Sequence, residues 1–541
     1  MTAVLGTAPA RRPGPGALRR RLAGTAPLLR LALRRDRVLI PVWLAVITLM
    51  VLSMPNTLRQ VYGTPDKRAD LVASLTTNPT LRAFYGPVFD QSVGGLTAWR
   101  VGTFAGVLAA VMSLVVVVRH TREEEETGRQ ELVSSAGVGR LAPLTAALLA
   151  ALVANTVLAG LLAVGLAGEG GTGALALGLA VGCTGMVFAA VAAVAAQLTE
   201  SARLAKGIAA AVLGAAFVLR AAGDAATKDG SSLLTWFSPV GWVEHTRAFA
   251  DERWWVLLLS AGAVAVGCVA AYELAGHRDL GMSFLPSRPG RAHGRLATAG
   301  ALARRLQRGA VLGWSAGFLL AGLVLGGMAD GATDLVGDNA DTRAIFRRMG
   351  GHAGLTDAFL SAMVGVVAMV GALYVVASVL RLHGEETSQR AEPVLATPVG
   401  RLCWAAGHLV VAFAGTALLM LCAACGFALG HGQDAGPIAA ACLVQVPAIW
   451  VVGALAVFLY GLSPRLAPAS WGAAGAVLLI GWLGPALDVP RAVMNLSPFS
   501  HLPKLPGGDL AWTPVLVLTG LAVVLTAAGL AALRRRDLAT G

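Results

Sequence analysis

The chain has 541 residues, of which 56% are hydrophobic and 13% charged, and its mean hydropathy is +0.68. Repeated apolar runs of about 18 residues or more match the thickness of a bilayer core, which excludes a water-soluble globular protein and points to an all-α polytopic membrane protein. The net charge of +13 comes almost wholly from arginines at the ends of hydrophobic runs, so it reads as a topology signal and not as a nucleic-acid surface.

Residues 1–37 hold nine arginines and no compact apolar stretch ending in a small-residue cleavage site, so no cleavable signal peptide is expected. This N-terminal segment is expected in the cytoplasm by the positive-inside rule. Its last part, LLRLALRRDRVL (28–39), alternates leucine and arginine at helical spacing and predicts an amphipathic helix in the membrane interface.

Runs of about 20 apolar residues then predict twelve spans, near 38–58, 98–118, 141–167, 173–197, 207–222, 254–275, 309–329, 358–380, 402–429, 437–461, 468–487 and 512–533. They divide into a first half, 38–280, and a second, 309–541, joined by a basic linker, 281–308, that is rich in Gly, Pro and Arg. An even number of spans per half keeps the linker and both termini in the cytoplasm and the loops 59–97 and 330–357 outside. The second loop is acidic, with Asp330, Asp334, Asp338, Asp341 and Asp357. All six cysteines lie within apolar runs, where a thiol behaves as a small hydrophobe, and the pair Cys422/Cys425 lacks the further Cys or His of a zinc site. His408, inside span 9, reads as a hydrogen-bonded packing residue.

Between spans 2 and 3 stands RHTREEEETGRQELVSSAGVGRL (119–141), four consecutive glutamates in an otherwise apolar setting. A shift of 261 residues lays EEETGRQELVSSAGVGRL (124–141) on EETSQRAEPVLATPVGRL (385–402) without a gap, and nine of eighteen positions agree, against roughly one or two by composition. The identities include Glu124/Glu385, Glu125/Glu386, Arg129/Arg390, Glu131/Glu392 and Arg140/Arg401. Ser238-Pro239 recurs as Ser497-Pro498, and Arg278-Asp279-Leu280 as Arg536-Asp537-Leu538. The chain is therefore read as a tandem duplication of a six-span unit, the two copies crossing the membrane in the same sense about a pseudo-two-fold axis along its normal. A solvated loop has no reason to keep its charges in register while its surroundings diverge. A docking element does, in the form of a short helix with Glu at its start and Glu125/Arg129 and Glu386/Arg390 pairing four residues apart. Pro393 and Pro398 replace Leu132 and Gly137 in the second copy, so its helix is expected to be shorter or bent.

The E-E-x-x-x-R-x-E…V-G-R-L segments resemble those of ABC-type exporter permeases of the second exporter superfamily, specifically the fused twelve-span permeases of actinobacterial type that export polyketide antibiotics. SPVGWVEHTRAFADERWW (238–255), RDLGMSFLPSRPGR (278–291) and LSPFSHLPKLPGG (496–508) extend the resemblance over essentially the whole chain. It implies that Glu124, Glu125, Arg129, Glu131 and Arg140, with Glu385, Glu386, Arg390, Glu392 and Arg401, belong to coupling helices docked on a cytoplasmic ABC ATPase, two copies per chain. It implies equally that ATP and Mg are bound by that partner and that no cofactor is bound here. The cargo expected is a hydrophobic or amphipathic small molecule such as an antibiotic, drug or lipid, moved out across the bacterial plasma membrane along a pathway near spans 2, 5, 8 and 11.

The chain has no P-loop, since Lys67, Lys206, Lys228 and Lys504 are each followed by a residue other than Ser or Thr, so it is not itself expected to be an enzyme. An ion-driven secondary transporter is the main alternative, but the acids read as lying at span ends, as with Glu273 and Asp488, or in loops. A lipid-modifying membrane enzyme is a further one, resting on Asp334, Asp338 and Asp341. Ser238, Pro239, Trp242, Ser497 and Pro498 read either as turn and interface anchors or as an outer gate, with Trp236, Trp254 and Trp255 at headgroup level.

Overall fold

The computed structural model describes residues 20–77, 79–135, 137–279, 282–284, 294, 296–329, 355–432, 435–483 and 490–537. The chain forms two compact units, Met1–Pro289 and Gly290–Gly541. Among the described residues every regular element is helical and none is a strand. Among the described residues eleven helices are long and apolar enough to cross a bilayer.

In the first unit the crossing helices are Leu39–Val61, Val93–Glu126, Ala142–Gly165, Gly171–Leu198, Ala202–Ala226 and Val256–His277. In the second they are Ala299–Gly327, Thr356–Thr387, Arg401–His431, Ala435–Leu462 and Trp512–Arg535. Where the sequence predicts an eleventh span over 468–487, the helix is Ala469–Leu483, fifteen residues, and the predicted remainder lies outside the described residues. The acidic loop residues Asp330, Asp334, Asp338 and Asp341 also lie outside the described residues.

The duplication read from short motifs extends to burial. Spans 2 and 4 are the most enclosed helices of the first unit, and spans 8 and 10 those of the second, while spans 1 and 6, like 7 and 12, are peripheral. Apolar side chains on a peripheral helix face lipid without penalty, so segregation within each unit depends on shape more than on hydrophobicity. Small residues supply that shape. Gly178 on span 4 lies against the backbone of Ala159, and the helices of spans 7 and 9 interlock through Gly322 and Gly326 with Ala423 and Phe427, and Gly426 and Gly430 with Leu319 and Leu323. Buried polar groups add directional bonds: Asn155 Nδ2 donates to Ser113 Oγ and to the Ala151 carbonyl, both at 2.8 Å. His408, buried, meets Gln307 through Nδ1 at 3.0 Å, so it is a hydrogen-bonded packing residue.

A Cβ at Gly426 would sit 2.1 Å from the Leu319 carbonyl oxygen, which no side-chain rotation can relieve. Gly426→Leu is expected to destabilise the second unit by about 1–3 kcal/mol or more through overpacking, seen as a lower melting temperature in detergent. Gly520→Ala, where a Cβ meets open space, should leave the melting temperature at or above the parent value.

Candidate functional site

The charged segment of the first unit begins where the span-2 helix is interrupted at Thr121. A short helix, Arg122–Glu126, is followed by Gly128 at φ +70°, a second short helix, Arg129–Ser134, and Gly137 at φ +76° before span 3 begins. Both glycines occupy the left-handed region that a Cβ disfavours, and they divide the segment into three rigid pieces. In the second unit Gln389, the counterpart of Gly128, keeps the same left-handed turn at φ +57° despite its side chain. The duplicated sequence thus retains a backbone shape even where the residue that favours it has been lost. Helix Glu392–Leu395 is indeed shorter than its counterpart, but Pro393 does not break it: the proline stands in the first turn, where no intrahelical N–H bond is forfeited, and Pro398 lies beyond its end.

Each of the four consecutive glutamates bonds to a different group. Glu123 pairs with Lys206 at the start of span 5. Glu124 accepts from Arg35, at the end of the helix Thr25–Arg35, at 2.5 Å. Glu125 takes a two-pronged bond from Arg278, at 2.6 and 2.9 Å, and pairs with Arg122. Glu126 accepts the Ala202 N–H at 2.9 Å, at the N-terminus of the span-5 helix where a negative charge is favoured. The run is a hub that ties the N-terminal helix, span 5 and the exit of span 6 to one short helix. Nearby, the fully buried Asp36 is held by His120 at 2.6 Å and Arg119 at 3.3 Å, fixing the N-terminal helix to the end of span 2.

The second unit repeats one of these ties atom for atom. Glu386, buried, receives a two-pronged bond from Arg536 at 2.7 and 2.8 Å, as Glu125 does from Arg278. Arg140 donates to the Arg278 carbonyl, and Arg401 to the Arg536 carbonyl at 2.8 Å. The third member differs, because the place of Arg122 is taken by Tyr460, whose hydroxyl donates to Glu386 at 2.5 Å. Glu385 pairs with Arg381 at 2.7 Å, whereas Glu124 reaches Arg35.

This geometry corrects the expected pairs four residues apart. Glu125 turns inward, and Arg129 approaches Glu124 instead, at 3.6 Å, because the turn at Gly128 breaks the helix between them. Arg390 donates to Ser388 Oγ at 3.0 Å, and the turn at Gln389 separates it from Glu386 in the same way. Arg129, Glu131, Arg390 and Glu392 are exposed, as are Leu132 and Pro393, so the outer faces of the two segments carry mixed charge around an apolar residue. Arg278 and Arg536, noticed in the sequence only as duplicated markers, are the central partners of the site.

At the opposite end of the first unit, Ser238 is buried and its hydroxyl donates to the Ala216 carbonyl at 2.7 Å, with Pro239 following in the turn. The Trp242 indole N–H donates to the Trp236 carbonyl at 2.7 Å, and Trp236 stacks between His245 and Trp255. Ser497 and Pro498 are buried in the second unit. In the first unit a buried charge cluster, Arg220 with Glu244 at 2.6 Å and Asp224 at 3.4 Å, escaped the sequence reading, which ended span 5 at residue 222. Arg220 also donates to the carbonyls of Ala83 and Phe84, tying the preceding loop to span 5.

A polytopic, all-helical membrane protein whose two units repeat one charged node is the class that these observations define. A family model described as the C-terminal domain of the multidrug efflux system permease Rv1217c matches residues 296–534. The chain is 42% identical over 526 residues to the multidrug efflux system permease protein Rv1217c of Mycobacterium tuberculosis, with 95% of each chain covered. It belongs to this family of efflux permeases.

Two measurements follow from the site. Removing one partner of a buried ion pair costs about 3–5 kcal/mol, against about 0–1 kcal/mol for an exposed pair. Glu386→Ala is therefore expected to lower the melting temperature of the purified chain much more than Arg129→Ala, and equal effects would contradict the burial described. Burial, assisted by Arg253 and Arg247, pushes the His245 imidazole down to about 4 from the usual 6.5. The neutral ring fits the fold and the unfolded chain takes up a proton near pH 6.5, so this stabilisation is complete above pH 6.5 and declines as pH falls toward 4. His245→Phe should flatten the pH dependence of the melting temperature in that window.

Proposed function

We propose that this chain is the membrane subunit of an ATP-driven ABC exporter, and that the segments 119–141 and 381–401 receive a cytoplasmic ATPase, one copy each. The observation that carries the reading is the repeated node: two separate stretches keep the same inward-facing Glu and Arg bonds and the same left-handed turn, and present their intervening residues outward. A structural loop needs the inner bonds alone. A loop that passes force also needs an outer face, and Arg129, Glu131, Leu132, Arg390 and Glu392 supply one. The inner acids Glu125 and Glu386 then serve to stiffen the docking element, and Glu124 and Glu385 to brace it.

On this reading the termini and the arginine-rich ends of the spans lie in the cytoplasm of a bacterial cell, with the protein in the plasma membrane. ATP and Mg are held by the partner. The cargo is a hydrophobic or amphipathic small molecule, supported by the Ala-, Leu- and Val-rich spans and by the similarity to the mycobacterial multidrug efflux system permease. An ion-driven cycle finds less support, because the buried Asp224, beside Arg220 and Glu244, sits in the last turn of its helix and not at the centre of a span.

The test is copurification of the chain with the ATPase encoded beside it, scoring stoichiometry and ATP hydrolysis. The expected result is two ATPase copies per chain, and capture reduced about tenfold or more by Glu131→Arg with Glu392→Arg, which reverse exposed charges without touching the inner node. Efflux that persists in the absence of any associated ATPase would contradict the proposal.

A further inference from the structure

The duplicated bonds single out a pair of arginines that docking alone does not require. Arg278 follows the span-6 helix, which ends at His277, and Arg536 follows the span-12 helix, which ends at Arg535. Each is gripped twice: its guanidinium by the glutamate of the charged segment, and its backbone carbonyl by the arginine at the entry to span 3 or span 9. Of the nine identities between the two segments, Glu125/Glu386 and Arg140/Arg401 are those whose bonding partner is itself duplicated. The neighbouring identity Glu124/Glu385 has kept its residue and changed its partner, so shared ancestry by itself does not preserve a contact here.

We propose that Arg278 and Arg536 are positioning residues for transport, which lock each charged segment to the exit of the last span of its own unit so that a push on the segment moves that span together with the two it connects. The inference rests on the reading of the segments as docking elements. Chain connectivity alone would deliver a displacement of residues 119–141 to spans 2 and 3. Spans 6 and 12 pack chiefly against spans 4 and 10, Gly267 beside Ala190 and Gly529 on the backbone of Val457 and Phe458, so their tie to the charged segment itself is made at their ends. A guanidinium bound in a fork to a buried carboxylate supplies that tie: it fixes direction as well as distance, and it opens only at the cost of leaving a charge unpaired in a poorly solvated place. A lysine can satisfy the charge but not the fork. In the first unit the further contact of both Arg122 and Arg278 with the Met282 carbonyl, at 3.0 and 2.7 Å, extends the lock past the end of the span.

The experiment measures efflux of ethidium from cells carrying the full chain with its neighbouring ATPase, divided by the amount of chain in the membrane. The set comprises Arg278→Lys, Arg536→Lys, Glu125→Arg, Arg278→Glu and the exchange of the last two, with ATP hydrolysis of the purified complexes alongside. Arg278→Lys and Arg536→Lys should keep the membrane amount while efflux per molecule and efflux per ATP hydrolysed fall about fivefold or more, a split that a merely structural role would not produce. The exchange should recover part of the efflux lost by either reversal. Efflux per molecule equal to the parent in both lysine variants would overturn the proposal, as would a fall in efflux that only follows a fall in membrane amount. Absence of an ATPase from the parent complex would instead defeat the ATP-driven reading, and the efflux ratios of the lysine variants and of the exchange would still decide whether the arginines position the spans.

Discussion

The bond between a buried glutamate and the arginine that closes the last span of the same unit, Glu125 with Arg278 and Glu386 with Arg536, is the constraint on which the arrangement of each unit depends. In an apolar chain the helices have little reason to prefer one neighbour over another, since lipid is as apolar as leucine. Close packing through glycine fixes neighbours within the core of each unit, as at Gly426 and Gly326. It seats the peripheral spans 7 and 12 as well, where Gly529 lies on the backbone of Val457 and Phe458, but it does not reach the ends of spans 6 and 12. There a forked ion pair, both of whose side chains are largely desolvated, fixes the end of span 6 or span 12 with a geometry that apolar contact cannot impose.

The same logic explains a run of four glutamates. A single acid can tie two elements; four consecutive acids on one turn of helix point in four directions, and here they reach Lys206, Arg35, Arg278 and the N–H of Ala202. The second unit manages with two acids, Glu385 and Glu386, and fills the remaining role with Tyr460, so the two units are held by related but unequal hubs. Glu125 has two guanidinium partners and Glu386 one guanidinium and one phenol, and the balance of charge around the node differs accordingly.

Much of this was legible in the sequence. Hydrophobic runs predict the helices, and the gapless register of residues 124–141 on 385–402, with the outlying Arg-Asp-Leu repeats, marks both partners of the node. What was not legible is that the two markers touch. They lie 153 residues apart in the first unit and 150 in the second, and the register of a helix, which would have aimed Glu125 at Arg129, is overturned by left-handed turns at Gly128 and Gln389 that pattern reading does not capture at a glutamine. Arg220 and Asp224 were missed because such charges mark the end of an apolar run by composition, whereas the helix continues to Ala226 and buries them, and Glu244 reaches them from the separate short helix Gly241–His245.

The most direct test is structural: the complex of this chain with the ATPase proposed to dock on it, determined without nucleotide and with ATP held unhydrolysed, and the separations of Glu125 from Arg278 and Glu386 from Arg536 compared between the two states. If the node transmits movement, both forks stay closed in both states while the ends of spans 6 and 12 travel with the charged segments. A state in which either fork opens, or in which the segments shift and those span ends stay behind, would contradict the account.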